Sequence, residues 1–363
     1  MRAFFQLEPG DLQAFCREHD LPQYVADQLL DWVYRKGVTD PQAMTNISRA
    51  RREAIAATMG FCRGSVAAHQ IATDGTQKLL ITWPDSGRSS RDGSLPVVAD
   101  APPRQTECVM IPRGQRKTAC VSSQVGCPVG CRFCASGLEG VEGNLSRGQI
   151  VEQVYRLSRL AAVDRISNVV FMGMGEPLAN FNAVTDAIRT LNAPWGLGIS
   201  ARRITLSTVG LPAAIRRLAE FELPVTLALS LHAPNDELRR QLIPWAEYAT
   251  IAELLDACDA YFAATGREIT LEYLLLRGVN DRPQQARQLA DLARRLRANV
   301  NLIRYNEVKG LPFDRPATRD VRAFRQILEQ GGITVHLRAS RGRDIAAACG
   351  QLRQERRTGG SSG

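Results

Sequence analysis

From about residue 118 onward the chain repeats one alternation, a strand-length apolar run followed by a helical stretch. The runs are NVVFM (168–172), RITLST (203–208), VTLALSLH (225–232), ITLEYLLL (269–276), VNLIRYN (300–306) and ITVHLRA (333–339). Helical patterns occupy 147–163, 181–192, 211–220, 250–264, 283–298 and 318–330. Near-continuous apolar strands need cover on both faces, which predicts a parallel sheet with helices outside it. Six or so β/α units over roughly 220 residues fall short of a closed eight-fold barrel. The predicted fold class is therefore α/β, a partial (β/α)6 barrel. Reactive residues in such folds gather at the C-terminal ends of the strands.

The rest of the chain divides around that unit. Residues 1–75 predict a helical accessory domain. Asp11 caps a short helix there, Val25, Leu29, Trp32 and Val33 follow at helical spacing before Gly37, and a third helix runs through 47–59. Residues 76–117 predict a short β extension, with strands at 77–83 and 107–111. A surface loop rich in Ser, Gly, Pro and Arg fills 84–106. The barrel unit spans 118–354 and includes the segment around Cys349; residues 355–363 read as a flexible tail.

Hydrophobic residues at 44% and charged residues at 23% exclude global disorder. The net charge of +9 permits a polyanionic partner. Aromatics at only 6% argue against a dedicated base-stacking platform. No run approaches the ~20 apolar residues that cross a bilayer, and Glu8 and Asp11 interrupt any leader-like core at the start. These features predict a cytoplasmic protein without a membrane partner. In that compartment nine cysteines are expected to be thiols, metal ligands or redox groups rather than structural disulfides.

Three of them form Cys127-x3-Cys131-x2-Cys134. Three thiolates on one tight loop can hold three corners of a cubane iron–sulfur cluster and leave one iron open to a chelating ligand. Zinc is the alternative, but structural zinc takes four ligands, usually as paired C-x2-C units. None of His19, His69, His232 and His336 lies beside the triad in sequence. The spacing, with Phe133 before the last cysteine, resembles the radical S-adenosylmethionine (SAM) superfamily, in which SAM is the chelating ligand. The segment Gly173-Met174-Gly175-Glu176-Pro177 follows NVVFM and lacks the third glycine of a dinucleotide loop, since position 178 is Leu. By the same resemblance Glu176 accepts the SAM amino group.

The likeness extends along nearly the whole chain. CVSSQVGC (120–127), GMGEPL (173–178), TLST (205–208), ALSLHAPND (228–236), NLIRYN (301–306) and RGRDIAAACGQL (341–352) occur in order. Together they resemble the RlmN family of RNA methyltransferases, which methylate C2 of adenosine, and its C8-directed relative Cfr. The resemblance implies a barrel of the radical SAM type. It implies that Cys127, Cys131 and Cys134 ligate a 4Fe–4S cluster, and that Gly175, Glu176, Ser207, Ser230, Leu231, His232 and Asn306 line the SAM site. Cys349 matches the methyl-accepting cysteine, Cys120 the resolving cysteine and Glu107 the proton acceptor.

The chemistry so implied uses two SAM molecules per turnover. Carbon 2 of adenine lies between two ring nitrogens and is too electron-poor to attack a sulfonium directly. Cys349 therefore first takes a methyl group as thiolate. Radical chemistry from a second SAM then joins that methyl carbon to the ring. Glu107 removes the ring proton, and Cys120 frees the product by forming a disulfide with Cys349, which must be reduced before the next turnover. The implied partners are 23S ribosomal RNA, tRNA as a further candidate, and an electron donor such as flavodoxin or ferredoxin; the chain is expected to act as a monomer. Arg116, Lys117, Arg338, Arg341, Arg343, Arg353, Arg356 and Arg357 are candidate RNA-backbone contacts. Cys16, Cys62, Cys108 and Cys258 match no motif and read as structural.

Three features depart from the family pattern. GVEGNL (140–145) lacks an Arg before Asn-Leu, IPWAEYAT (243–250) lacks a basic pair after Ile-Pro, and the 84–106 insertion is long. The first two bear on RNA contacts rather than on the cysteine chemistry.

Overall fold

The computed structural model describes residues 1–84 and 104–352. At the N-terminus, strand β1 (Arg2–Ala3) pairs in parallel with β2 (Met59–Gly60) and closes a module of α1 (Pro9–Glu18), α2 (Tyr24–Leu30) and α3 (Arg49–Thr58). The cap of α1 is Glu8 and not Asp11. Asp11 sits three residues inside and accepts from the Glu8 amide at 2.9 Å, the reciprocal arrangement of a capping box. Phe4 and Phe5 pack against Tyr34, and Phe5 also against Tyr155 of the barrel. Buried Arg147 ties the module down through Glu8 at 2.9 Å and the Leu7 carbonyl at 2.9 Å.

Four strands follow: β3 (Ser65–Ile71), β4 (Gln77–Trp83), β5 (Arg104–Arg113) and β6 (Arg116–Cys120). The helical part therefore ends at α3, and residues 65–71, expected within it, are strand. Residues 104–106, expected in the surface loop, also pair as strand, with Arg104 opposite Trp83. Residues 85–103 of that loop and the tail lie outside the described residues, as do Arg353, Arg356 and Arg357. A small antiparallel ribbon, β7 (Gln124–Gly126) with β8 (Val141–Asn144), flanks the cysteine loop.

The remaining elements alternate as expected. In chain order they are α4 (Arg147–Ser158), β9 (Asn168–Phe171), α5 (Phe181–Asn192), β10 (Ile204–Thr208), α6 (Pro212–Ala219), β11 (Thr226–Ser230), α7 (Asp236–Leu242), α8 (Ile251–Thr265), β12 (Thr270–Leu275), α9 (Pro283–Leu296), β13 (Asn299–Arg304), α10 (Thr318–Gln330) and β14 (Val335–Arg338). One ten-stranded sheet runs β14-β13-β12-β11-β10-β9-β6-β5-β4-β3. Every pairing from β6 to β14 is parallel, whereas β6-β5-β4-β3 is antiparallel. Among the described residues the sheet does not close on itself, with β14 and β3 at its ends, and so forms a partial barrel.

Its first unit is β6–α4, upstream of the first strand legible as an apolar run. Strand β6 reads RKTAC, too polar to announce itself. Six β/α units then run from β6 through α10, and β14 adds a seventh parallel strand. Leu, Ile and Val side chains of these strands pack beneath the helices as one continuous core. Because the strands are parallel, their C-terminal ends share one rim.

Candidate active site

Two adjoining cavities open at that rim. The first encloses about 840 Å³ of space, its solvent mouth included, and all three motif cysteines line it. Gly175, Glu176, Ser207, Ser230 and His232 line it as well. The second is lined by Cys120, Asn306 and the 339–341 segment. Cys349, Arg338, Met172 and Ile303 line both. Cys349 thus stands on the wall between the cysteine triad and Cys120.

The local sequence explains the first cavity. Gly175 has φ +103, and a Cβ there would meet Gln124 and Ser123 atoms at 2.7 Å. Only glycine lets the loop after β9 lie flush on the 121–124 segment. Glu176 is then held by three bonds. Its amide donates to Gln124 Oε1 at 2.8 Å, and its carboxylate accepts from the amides of Leu178 and Val209, each at 2.9 Å. Burial raises its pKa above the ordinary carboxylate value, and those two amides oppose the rise. Ser207 and Ser230, at the ends of β10 and β11, share a hydrogen bond of 3.0 Å.

His232 has a left-handed backbone, φ +58. Its Nδ1 accepts from the Leu274 amide at 3.1 Å, and Asn280 Nδ2 donates to its carbonyl at 2.8 Å. Burial, helped by the nearby Arg239 charge, pushes its pKa down to about 3, so the ring is neutral. It packs edge-on against Phe133 with ring centroids 5.2 Å apart. A histidine does therefore lie beside the cysteine loop in space. Two of the residues expected at the SAM site do not line this cavity. The Leu231 side chain is fully buried in the main core and lines neither cavity. Asn306 lines the second cavity, and its Nδ2 donates to the Cys349 carbonyl at 3.3 Å.

All nine cysteines are free thiols, so the expected Cys120–Cys349 disulfide is not formed here. Burial raises the thiol pKa of Cys127 to about 12 and raises those of Cys131 and Cys134. Each must therefore release a proton to bind metal. Among the described residues, no group of three or more Cys, His, Asp or Glu closes on a single ion. Three soft donors that line one cavity, with no fourth ligand grouped with them among the described residues, fit a 4Fe–4S cluster with one open iron better than mononuclear zinc.

Several neighbours have no motif of their own. Lys78 of β4 places Nζ 2.6 Å from Glu107 Oε1, and the same ammonium donates to the Ala346 carbonyl at 3.3 Å, three residues before Cys349. Glu107 lines neither cavity and reaches the Cys349 segment through this pair. Arg338, expected to meet RNA phosphate, turns inward instead, 3.5 Å from Glu272. Asn301 donates to the other Glu272 oxygen at 2.9 Å. The only sequence signal for Lys78 and Glu272 is a charge inside an otherwise apolar strand.

A radical SAM protein is what this open α/β barrel and its three-cysteine rim define. The Radical SAM superfamily model matches residues 121–292, and the ribosomal RNA large subunit methyltransferase N-terminal domain model matches residues 4–59. The probable dual-specificity RNA methyltransferase RlmN of Rhodopirellula baltica is 43% identical over 346 residues, 95% of this chain and 89% of that one. Its counterpart in Symbiobacterium thermophilum is 45% identical over 350 residues, again 95% and 89%. A crystal structure of a radical SAM methyltransferase from Sphaerobacter thermophilus superposes with a TM-score of 0.90 at 40% identity, covering 97% of this chain and 99% of that one. The chain belongs to the RlmN family of dual-specificity radical SAM RNA methyltransferases.

Proposed function

We propose that this protein methylates C2 of an adenosine in 23S ribosomal RNA, and in tRNA, through a methyl group carried on Cys349 and released by Cys120. In this reading it works in the cytoplasm as a monomer, and a carrier such as flavodoxin or ferredoxin supplies electrons. The observation that carries the reading is the position of Cys349 on the wall common to two cavities, one holding the cysteine triad and the other Cys120.

Cys127, Cys131 and Cys134 would hold the cluster, which when bound supplies the electron that splits SAM homolytically and so permits hydrogen abstraction from an unactivated methyl group. Glu176, Ser207, Ser230 and the His232 backbone bend would orient SAM in the first cavity. The Cys349 thiolate takes the methyl group by displacement at the sulfonium carbon; the new bond is S–CH3 and S-adenosylhomocysteine leaves. After loss of one hydrogen, that carbon bonds to C2 of a base extruded into the second cavity. In this reading Glu107, 2.6 Å from the Lys78 ammonium, takes up the ring proton, and the odd electron left on the adduct would return to the cluster. Cys120 attacks Cys349 Sγ; the S–S bond forms, the S–CH2 bond breaks, and the carbon takes a proton. Arg116, Lys117, Arg341 and Arg343 would hold phosphates without reading sequence.

The test is anaerobic reconstitution with isotopically labelled SAM and total RNA, followed by digestion and mass analysis of nucleosides. Labelled 2-methyladenosine is expected. Label in 8-methyladenosine alone, or in no nucleoside, would overturn the assignment.

A further inference from the structure

Helix α7 lies against the cysteine loop, where the Arg132 amide donates to the Leu242 carbonyl at 3.0 Å. From its middle, Arg239 runs into the protein and is 1% exposed. One guanidinium nitrogen, Nη2, donates to the Val209 carbonyl at the end of β10. The Nε–H is buried without any acceptor. Among the described residues no carboxylate lies within 4 Å of this guanidinium. The groups whose negative charge acts on it from a distance are Cys131, once that thiol has lost its proton, and Asp236. Asp236 is engaged elsewhere, accepting from the Ile251 amide at 2.7 Å.

An unpaired charge in the interior is costly, and proteins keep one where something compensates it. Arg239 lines neither cavity. It sits behind the first cavity wall, bonded to the Val209 carbonyl and carried on the helix that packs against the loop of the triad's middle cysteine, whose thiolate it would stabilise. The missing counter-charge is what that cysteine would bind. Three thiolates around a 4Fe–4S core leave a net negative charge, and reduction adds one more. A fixed cation in a poorly solvated position stabilises the reduced form more than the oxidised form and so raises the reduction potential.

We propose that Arg239 is the built-in counter-charge of the iron–sulfur cluster and sets how readily the cluster is reduced. The inference rests on the proposed cluster at Cys127, Cys131 and Cys134 and adds to it a residue that binds neither SAM nor iron. Arginine suits the position because its charge is permanent and weakly hydrated.

The experiment uses the full chain reconstituted without oxygen, as wild type, Arg239→Lys and Arg239→Met. Iron and sulfide are counted first, and the cluster is then titrated with reductant under EPR observation, without SAM. In Arg239→Met the reduction equilibrium is expected to fall at least tenfold, a shift of 59 mV for a one-electron couple. Arg239→Lys should stay near wild type. An unchanged potential in fully loaded Arg239→Met overturns the proposal, and so does an equal drop in both variants, which would mean packing rather than charge. If Arg239→Met loads poorly, Arg239→Lys decides: full loading supports a charge role, and equal loss refutes it. Wild type without iron and sulfide would instead refute the cluster itself.

Discussion

Lys78 Nζ stands 2.6 Å from Glu107 Oε1, and both side chains are at least nine-tenths buried. The two residues lie on neighbouring antiparallel strands, β4 and β5, and the pair faces the segment that carries Cys349. A buried ion pair contributes little net stability against an apolar replacement, but removing one partner leaves the other charge stranded. Lys78→Met should therefore destabilise the fold by about 3–5 kcal/mol and sharply slow methyl transfer. Combined with Glu107→Gln it should lose less than the sum of the two single changes. Denaturant unfolding of the four proteins in the cycle checks this; additive losses would mean that the pair is not coupled.

The two cysteines of the proposed cycle should fail differently. Cys349→Ala removes the methyl acceptor and leaves the triad intact, so methylation should vanish while iron and sulfide content is unchanged. Cys120→Ala permits the bond to RNA and blocks its release, so a protein–RNA adduct should accumulate that survives denaturation. Gel analysis with labelled RNA separates the two outcomes. Methylated RNA released by either variant at the wild-type rate would refute the two-cysteine scheme.

The isotope content of the product tests the same scheme at the carbon. If one hydrogen leaves the Cys349 methyl group and the released carbon later takes a proton, SAM carrying a CD3 group should give RNA bearing CD2H. Direct displacement onto the base would deliver CD3 intact. Mass analysis of the nucleoside decides between them.

Most of the barrel was legible because its strands are apolar on both faces and its cysteines are closely spaced, both local signals. What the sequence hid depends on pairing across distance. Strand β3, with its exposed face, has no apolar run to mark it. Strand β6 is recognisable only once β9 and β5 lie on either side of it. The Lys78–Glu107 pair joins positions from different strands, and the Lys78 bond to Ala346 spans 268 residues. Asn306 follows a strand end as its motif implied, and it lines the second cavity, where it meets the carbonyl of Cys349 43 residues further on.

That return is held by the β3–β4 turn. Asp74 Oδ2 accepts from the Gly342 amide at 3.1 Å and lies 3.7 Å from Arg341, while the Thr73 amide donates to Asp344 at 2.9 Å. Asp74→Ala removes the first two contacts. A hydrogen bond to a charged group contributes about 1.5 kcal/mol or more, roughly a tenfold change in local opening. Trypsin should cut after Arg341 or Arg343 about tenfold faster in Asp74→Ala while the global unfolding midpoint moves little. Equal cleavage rates would show that the turn does not restrain the Cys349 segment.

The release step should depend on pH through Cys120. Burial, reinforced by the neighbouring Cys349, pushes its thiol up to about 12. The thiolate is the attacking form, and below the pKa its fraction rises about tenfold per pH unit. Adduct resolution in a single turnover should therefore accelerate by roughly that factor for each unit between pH 7 and 9, with no plateau in the range. A thiol of ordinary pKa would level off near 8.5. Quenched-flow measurement of adduct decay, started from preformed adduct so that earlier steps do not contribute, distinguishes the two. A plateau below pH 9 would mean that RNA binding exposes Cys120 or brings a cation to it. A candidate is Arg338, which lines the second cavity with Cys120 and whose charge already acts on that thiol in the free protein.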